Sequence, residues 1–228
     1  MTENFDNGHV RSEVGSLDES NIAVPPGFDE NILTGKLVKM WPWARGFYKR
    51  DMLYDLWQIM EAEGMTDTIF YSATIKADVP VSTHMDLIEF VNYFGTSGRL
   101  LLIPQHIESG EIIGFSWYEN TLLGEYGQGN MFYRKKFWGD AALEASQLAL
   151  RYGFEVFRFK KVWGHSPWLA SVKHRAKLGF KEQAAIPEAV IDRQGKSRTL
   201  YVGVCTREDF YNGMARSDSS ASVGSVVG

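Results

Sequence analysis

The chain has 228 residues, 44% of them hydrophobic and 14% aromatic, which suffices for one well-filled domain or at most two small ones. Its formal net charge of −4 argues against a protein whose main task is to hold a nucleic-acid backbone, because that task favours a basic surface. A single cysteine, Cys205, excludes an intramolecular disulfide and a zinc site built on several thiolates, and the five histidines form no i,i+4 pair of the kind that binds metal.

Residues 1–35 are polar and acidic, carry Pro25-Pro26, and read as a flexible N-terminal arm, unlike a signal peptide. Leu37–Trp41 reads as a strand. Phe47–Glu63 places Phe47, Met52, Leu53, Leu56, Ile59 and Met60 at helical spacing, with Gly64 where the helix would stop. Residues 69–75 fit strand or loop. Thr83–Phe94 reads as a second helix with Thr83 as its N-cap. Strands Arg99–Gln105 and Glu111–Asn120 meet at the turn Glu108-Ser109-Gly110, and a third strand spans Gly129–Tyr133. The Ala/Leu helix Ala141–Phe154 carries one apolar stripe of Ala141, Ala145, Leu148, Ala149 and Tyr152. Phe159–Gly164 reads as a strand and Leu169–Leu178 as a helix ended by Gly179. Lys181–Asp192 and Arg198–Thr206 read as a closing hairpin over residues 193–196. Residues 212–228 read as a flexible Ser/Gly-rich tail, and no apolar run is long enough to span a bilayer. The order β-α-α-β-β-β-α-β-α-β-β predicts a single α/β (α+β) domain over residues 36–211, with a mixed, mostly antiparallel sheet and helices on both faces. The lone cysteine fits a reducing, cytoplasmic compartment.

The stretch Lys136-Phe137-Trp138-Gly139-Asp140-Ala141 lies between a strand and a long helix. A strand that feeds a Gly-containing turn and then a helix leaves free N–H groups at the positive end of the helix dipole, a ready site for phosphate or pyrophosphate. Gly139 allows close backbone approach, and Arg134, Lys135 and Lys136 add positive charge there.

The element order and four local motifs resemble the GNAT acyltransferase superfamily, above all the branch of ribosomal-protein and other N-terminal acetyltransferases. Lys136, Gly139 and Ala141 are similar to its phosphate-loop pattern, with Lys in the place of Gln or Arg. Trp138-Gly139 followed by an Ala/Leu helix that ends in Tyr152-Gly153-Phe154-Glu155 resembles the branch's aromatic–Gly pair and helix. Ser171 with Lys177-Leu178-Gly179-Phe180, and the closing hairpin that runs into Arg207-Glu208, complete the set, which covers roughly residues 36–211. The resemblance implies transfer of an acyl group from acetyl-CoA, or another acyl-CoA, to an amine acceptor, with no metal. It implies that the backbone of Phe137, Trp138, Gly139, Asp140 and Ala141 holds the CoA pyrophosphate, that Arg134, Lys135 or Lys136 sits near a CoA phosphate, and that the pantetheine arm runs beside Phe132 and Tyr133.

Two positions depart from the family pattern: Trp168 stands where many members carry Asn, and Arg175 where many carry the Tyr that protonates the leaving thiolate. Direct attack by an amine needs a base near pH 7. Glu119 and Glu125 are the candidates, with Tyr118, Tyr126 or Ser171 as proton donor. His165 reads as a strand-end residue or a base. Cys205 reads as a small core residue, and Gly164-His165-Ser166-Pro167-Trp168 lacks the second Gly of a hydrolase elbow. Trp41, Trp43 and Trp57 read as core or interface aromatics, with an acceptor groove as the alternative. The missing acid, the tryptophans and the two tails also fit a second function: a GNAT-like fold without catalysis, serving as a structural or binding subunit, as a homo-oligomer or in a larger assembly such as a phage particle.

Overall fold

A computed structural model describes residues 32–43, 52–65, 87–96, 100–122, 125–191 and 196–222. Seven strands form one sheet in the order β1-β2-β3-β4-β5-β7-β6: β1 Val38–Trp43, β2 Leu101–His106, β3 Gly114–Leu122, β4 Tyr126–Tyr133, β5 Lys161–Ser166, β6 Lys181–Ile191 and β7 Ser197–Thr206. All neighbours pair antiparallel except β4 and β5, which run parallel because a helix crosses between them. The helices are α1 Met52–Ala62, α2 Leu87–Thr96, α3 Asp140–Glu155, α4 Leu169–Lys177 and α5 Arg207–Ser222.

Alternation along the strands splits the core into two layers. Trp41 and Trp43 of β1 point with Phe115 and Trp117 of β3 toward Leu56, Phe90 and Phe94 of α1 and α2. Val38 and Met40 point the other way, toward Ala145, Leu148 and Ala149 of α3. With both faces covered, β2 opens on the unbroken apolar run Leu101-Leu102-Ile103, all buried. A third cluster joins Phe154, Phe159, Val162, Leu178, Cys205 and Phe210 under β5 and β7.

The structure places several boundaries differently from the sequence expectation. Strand β1 runs on through Pro42, which a sheet edge tolerates. Strand β4 begins at Tyr126, three residues early, and takes in Gly127 and Gly129. These glycines have a packing reason: a Cβ on Gly127 would lie 2.6 Å from the Phe159 ring, and one on Gly129 would lie 2.9 Å from Val162. At the N-terminal side, residues 32–35 already belong to the fold, with Leu33 buried and its carbonyl bonded to Met40 N at 2.8 Å. Past residue 211 the chain continues as helix α5 to Ser222. The expected strand or loop over 69–75, residues 83–86 of the second helix, and Phe47 lie outside the described residues. No helix among the described residues is long and apolar enough to cross a membrane.

Candidate active site at a split in the sheet

Strands β4 and β5 pair only at Tyr126↔Lys161, Gly127↔Val162 and Gln128↔Trp163. Beyond that point β4 continues to Tyr133 beside β3, and β5 continues to Ser166 beside β7. The sheet therefore forks after Gln128. Two glycines stand at the fork: a Cβ on Gly164 would lie 3.3 Å from the Gly129 carbonyl oxygen. Arg134 N donates to Ile113 O at 2.8 Å. The two-residue period of an antiparallel pair then sends the amides of Phe132 and Asn130 to β3, and those of Met131 and Tyr133 into the fork. The Tyr133 carbonyl accepts the Trp138 indole N–H at 3.0 Å. The Met131 peptide groups and the Tyr133 amide are left facing the opening. The sequence reading named Phe132, but its ring stacks on Trp117 in the core, and the gap-facing residue next to Tyr133 is Met131.

The fork widens toward the start of α3. A single 3₁₀ turn, Lys135–Phe137, uses the amides of Phe137 and Trp138, which donate to Arg134 O and Lys135 O at 3.0 and 3.1 Å. Gly139 follows with φ 112°, a conformation open to glycine, and no side chain caps the helix. The first helical bond runs from Leu143 N to Gly139 O. The donors left open are thus the amides of Gly139, Asp140, Ala141 and Ala142 rather than those of Phe137 to Ala141. Nothing lies within 4 Å of the space a Gly139 Cβ would fill, so the cradle is accessible. Of the nearby cations, Arg134 is committed elsewhere: its Nε donates to Glu63 at 2.5 Å and its Nη1 to Ile112 O at 2.8 Å. Lys136 forks onto Glu111 at 2.6 and 2.8 Å and, as the main cause, holds that carboxyl below its usual range. Lys135 is exposed, with no ion pair among the described residues. The open amides, the exposed lysine and the unpaired strand edge together fit a diphosphate carried on an extended amide chain, as in CoA.

On the α1–α2 face of the fork, Glu119 of β3 is the centre of a polar cluster. Its carboxylate accepts the Tyr93 hydroxyl on one oxygen. The other oxygen accepts Gln128 Nε2 at 3.2 Å and Asn130 Nδ2 at 3.1 Å. No cation pairs with Glu119 among the described residues. Gln128 Nε2 also lies 3.4 Å from His165 Nε2. The two hydrogens of this amide are shared among Glu119, the Asn130 carboxamide oxygen at 3.4 Å and the ring nitrogen, while His165 Nδ1 is buried without a hydrogen-bond partner among the described residues. Burial, with Arg175 nearby, holds the His165 pKa below the usual value and keeps the ring neutral. Tyr93 and Asn130 were not singled out from the sequence, whereas the resemblance puts the family's acidic residue near Gln128. Asn130 could be found once Glu119 was registered against Gln128; Tyr93 carries no local signal.

Other candidates fall elsewhere. Glu125 precedes β4 at the closed end of the β4–β5 pair and forms an exposed ion pair with Lys160 at 2.7 Å, away from Glu119 and the fork. Ser171 lies half-buried on the first turn of α4, and its hydroxyl makes no hydrogen bond among the described residues. The Tyr118 hydroxyl donates to Ala149 O at 2.7 Å on the α3 face, and burial raises its pKa far above a useful range. Trp41 bonds Gln105 at 2.9 Å and joins Trp43 and Trp57 in the core rather than in a groove. Cys205 is buried, with its thiol pushed up to about 12, and is no nucleophile. Arg175 lies across the two cross-strand glycines: its Nη1 is 3.4 Å from the Cβ space of Gly164, and its guanidinium carbon is 3.8 Å from that of Gly203. Trp168 stacks under Arg198, with its buried indole N–H unpaired among the described residues.

No family model matches the chain, and no curated protein matches its sequence. Its structure does match solved ones. A GNAT-family acetyltransferase from Bacillus anthracis superposes with a TM-score of 0.57 at 12% identity, over 77% of this chain and 98% of that one. A spermidine N-acetyltransferase SpeG variant from Vibrio cholerae gives 0.56 at 14% identity, over 76% and 98%. The chain has the fold of the GNAT acetyltransferases.

Proposed function

We propose that the protein is an acyl-CoA-dependent N-acyltransferase, most simply an acetyltransferase, that joins acyl donor and amine in one ternary complex. The observation that carries this is the meeting of two open features: the forked edge of β4 leads directly to the uncapped start of α3. The amides of Gly139 to Ala142, with Lys135, hold the diphosphate. The Met131 peptide groups and the Tyr133 amide extend the sheet onto the pantetheine arm. Acetyl-CoA supplies the activated thioester. Glu119 accepts the proton that the amine gives up as the amide bond forms, while Tyr93, Gln128 and Asn130 keep its carboxylate in place. Arg175 cannot donate a proton to the departing sulfur, but its charge beside Gly164 favours release as thiolate. Trp168 occupies the family's Asn position without supplying a carboxamide. A reducing, cytoplasmic setting suits the lone, buried thiol of Cys205.

The test is a calorimetric titration with acetyl-CoA, followed by thiol release with a panel of amines. Micromolar binding and amine-dependent CoA release are expected. Gly139→Val should remove both with the fold retained, because a β-branched residue is strained at φ 112°. Binding without release in any amine supports the subunit reading instead, and unchanged affinity in Gly139→Val overturns the cradle.

A further inference from the structure

A buried chain of hydroxyls crosses the floor of the fork. Ser116 on β3 donates to the Leu102 carbonyl at 3.4 Å. The Tyr133 hydroxyl, on the last residue of β4, accepts from Ser146 Oγ of α3 at 3.3 Å. Ser146 Oγ lies 2.8 Å from His174 Nε2 on α4. Ser116, Tyr133 and Ser146 are 2%, 9% and 0% exposed, so each hydroxyl must find its partners inside the protein.

The single hydrogen of Ser146 sets the direction of the chain. Ser146 gives its own to Tyr133, so His174 must donate from Nε2 to Ser146. Ser146 then donates once and accepts once, and the His174 ring contacts Tyr133 edge-on.

The two ends of this chain belong to opposite sides of the split. Helix α3 packs on β1, β2 and β4 and also reaches β5, whereas α4 packs on β5 and β7 alone among the strands. We propose that the Ser146–His174 bond, seated on Tyr133, is a latch that sets the width of the acyl-CoA cleft, with Ser146 and His174 as positioning residues. The inference rests on the acyl-CoA reading of the fork. Without the latch, the two sides would be joined there by the three paired residues at the base of β4 and β5 and by the apolar packing of the C-terminal half of α3, both far from the open end. A cleft that opens by a fraction of an ångström would still bind diphosphate at α3 but would lose the fit along Met131 and Tyr133.

Three variants decide it: Ser146→Ala, His174→Leu and His174→Gln, whose amide nitrogen reproduces the Nε2 donor. Ser146→Ala and His174→Leu should weaken acetyl-CoA binding about tenfold, raise its KM, and leave kcat at saturation and the KM of the amine within about twofold. His174→Gln should stay near wild type. In the free protein, amide hydrogen exchange should speed up in α4 and at 131–133 together in the two disabled variants. Unchanged acetyl-CoA affinity in both, or His174→Gln as weak as His174→Leu, overturns the latch. Should the wild type ignore acetyl-CoA, the acyl-CoA reading fails, and coupled exchange of α4 with 131–133 alone then decides whether the two sides are latched.

Discussion

Glu119 and Glu125 are the same residue type six positions apart, yet the structure gives them different chemistry. Glu125 shares its charge with exposed Lys160 at the closed end of the strand pair. Glu119 is half-buried, carries three neutral donors and has no cation partner among the described residues. A carboxylate in that state is fixed in direction yet still able to take a proton. Glu119→Gln should therefore lower kcat by about 10² or more while acetyl-CoA affinity stays within twofold, and Glu125→Gln should change neither. Steady-state rates together with a binding titration on both variants check this, and equal losses in the two would remove Glu119 from the role of base. The choice between the two glutamates could not be made from the sequence, because it depends on which β4 residue lies opposite each of them. Sequence spacing does not state a register; a one-residue slip would turn Glu119 to the α3 face.

Elements were easier to read than their ends. Helix α3 and the strands around it follow from periodicity, and Gly139 and Gly179 were legible as a helix start and a helix stop; both adopt positive φ. Helix α5 was missed because Ser- and Gly-rich composition past residue 211 outweighed a local start signal. That signal is Thr206, whose hydroxyl accepts Asp209 N at 3.1 Å and bonds the Asp209 carboxylate at 2.8 Å. Phe210, fully buried against Phe154, then anchors the first turn. Thr206→Val keeps the volume and removes the cap, so it should cost about 1 kcal/mol of stability. A thermal melt should show a drop of a few degrees. Acetyl-CoA affinity should not change, since α5 packs on β7 and on the C-terminal ends of α3 and α4, away from the fork. A fall in affinity as large as the fall in stability would place α5 in the site.

At the scale of the whole molecule, the fork is both the functional feature and a weak point, because a sheet that parts in its middle loses ladder bonds where the core is deepest. The chain Tyr133–Ser146–His174 replaces some of that cohesion with side-chain bonds, and it ties stability to pH. His174 is held down to about 4 from its ordinary 6.5, mainly by burial and secondarily by Lys177 on its own helix. From the neighbouring elements it faces the neutral Ser146 of α3 and Tyr133 of β4, so no carboxylate there favours its charged form. In the window from about 6.5 down to about 4 the unfolded chain binds a proton at this residue that the folded chain does not. This contribution is therefore complete above pH 6.5, declines as pH falls through the window, and is gone below about 4. The full shift corresponds to no more than about 3 to 4 kcal/mol. Denaturant unfolding at several pH values should give a slope that His174→Gln flattens, with the variant gaining on wild type toward pH 4.5. If the two proteins lose stability in parallel across that range, the histidine is not buried neutral in the folded state, and the proton order assigned along the hydroxyl chain is wrong with it.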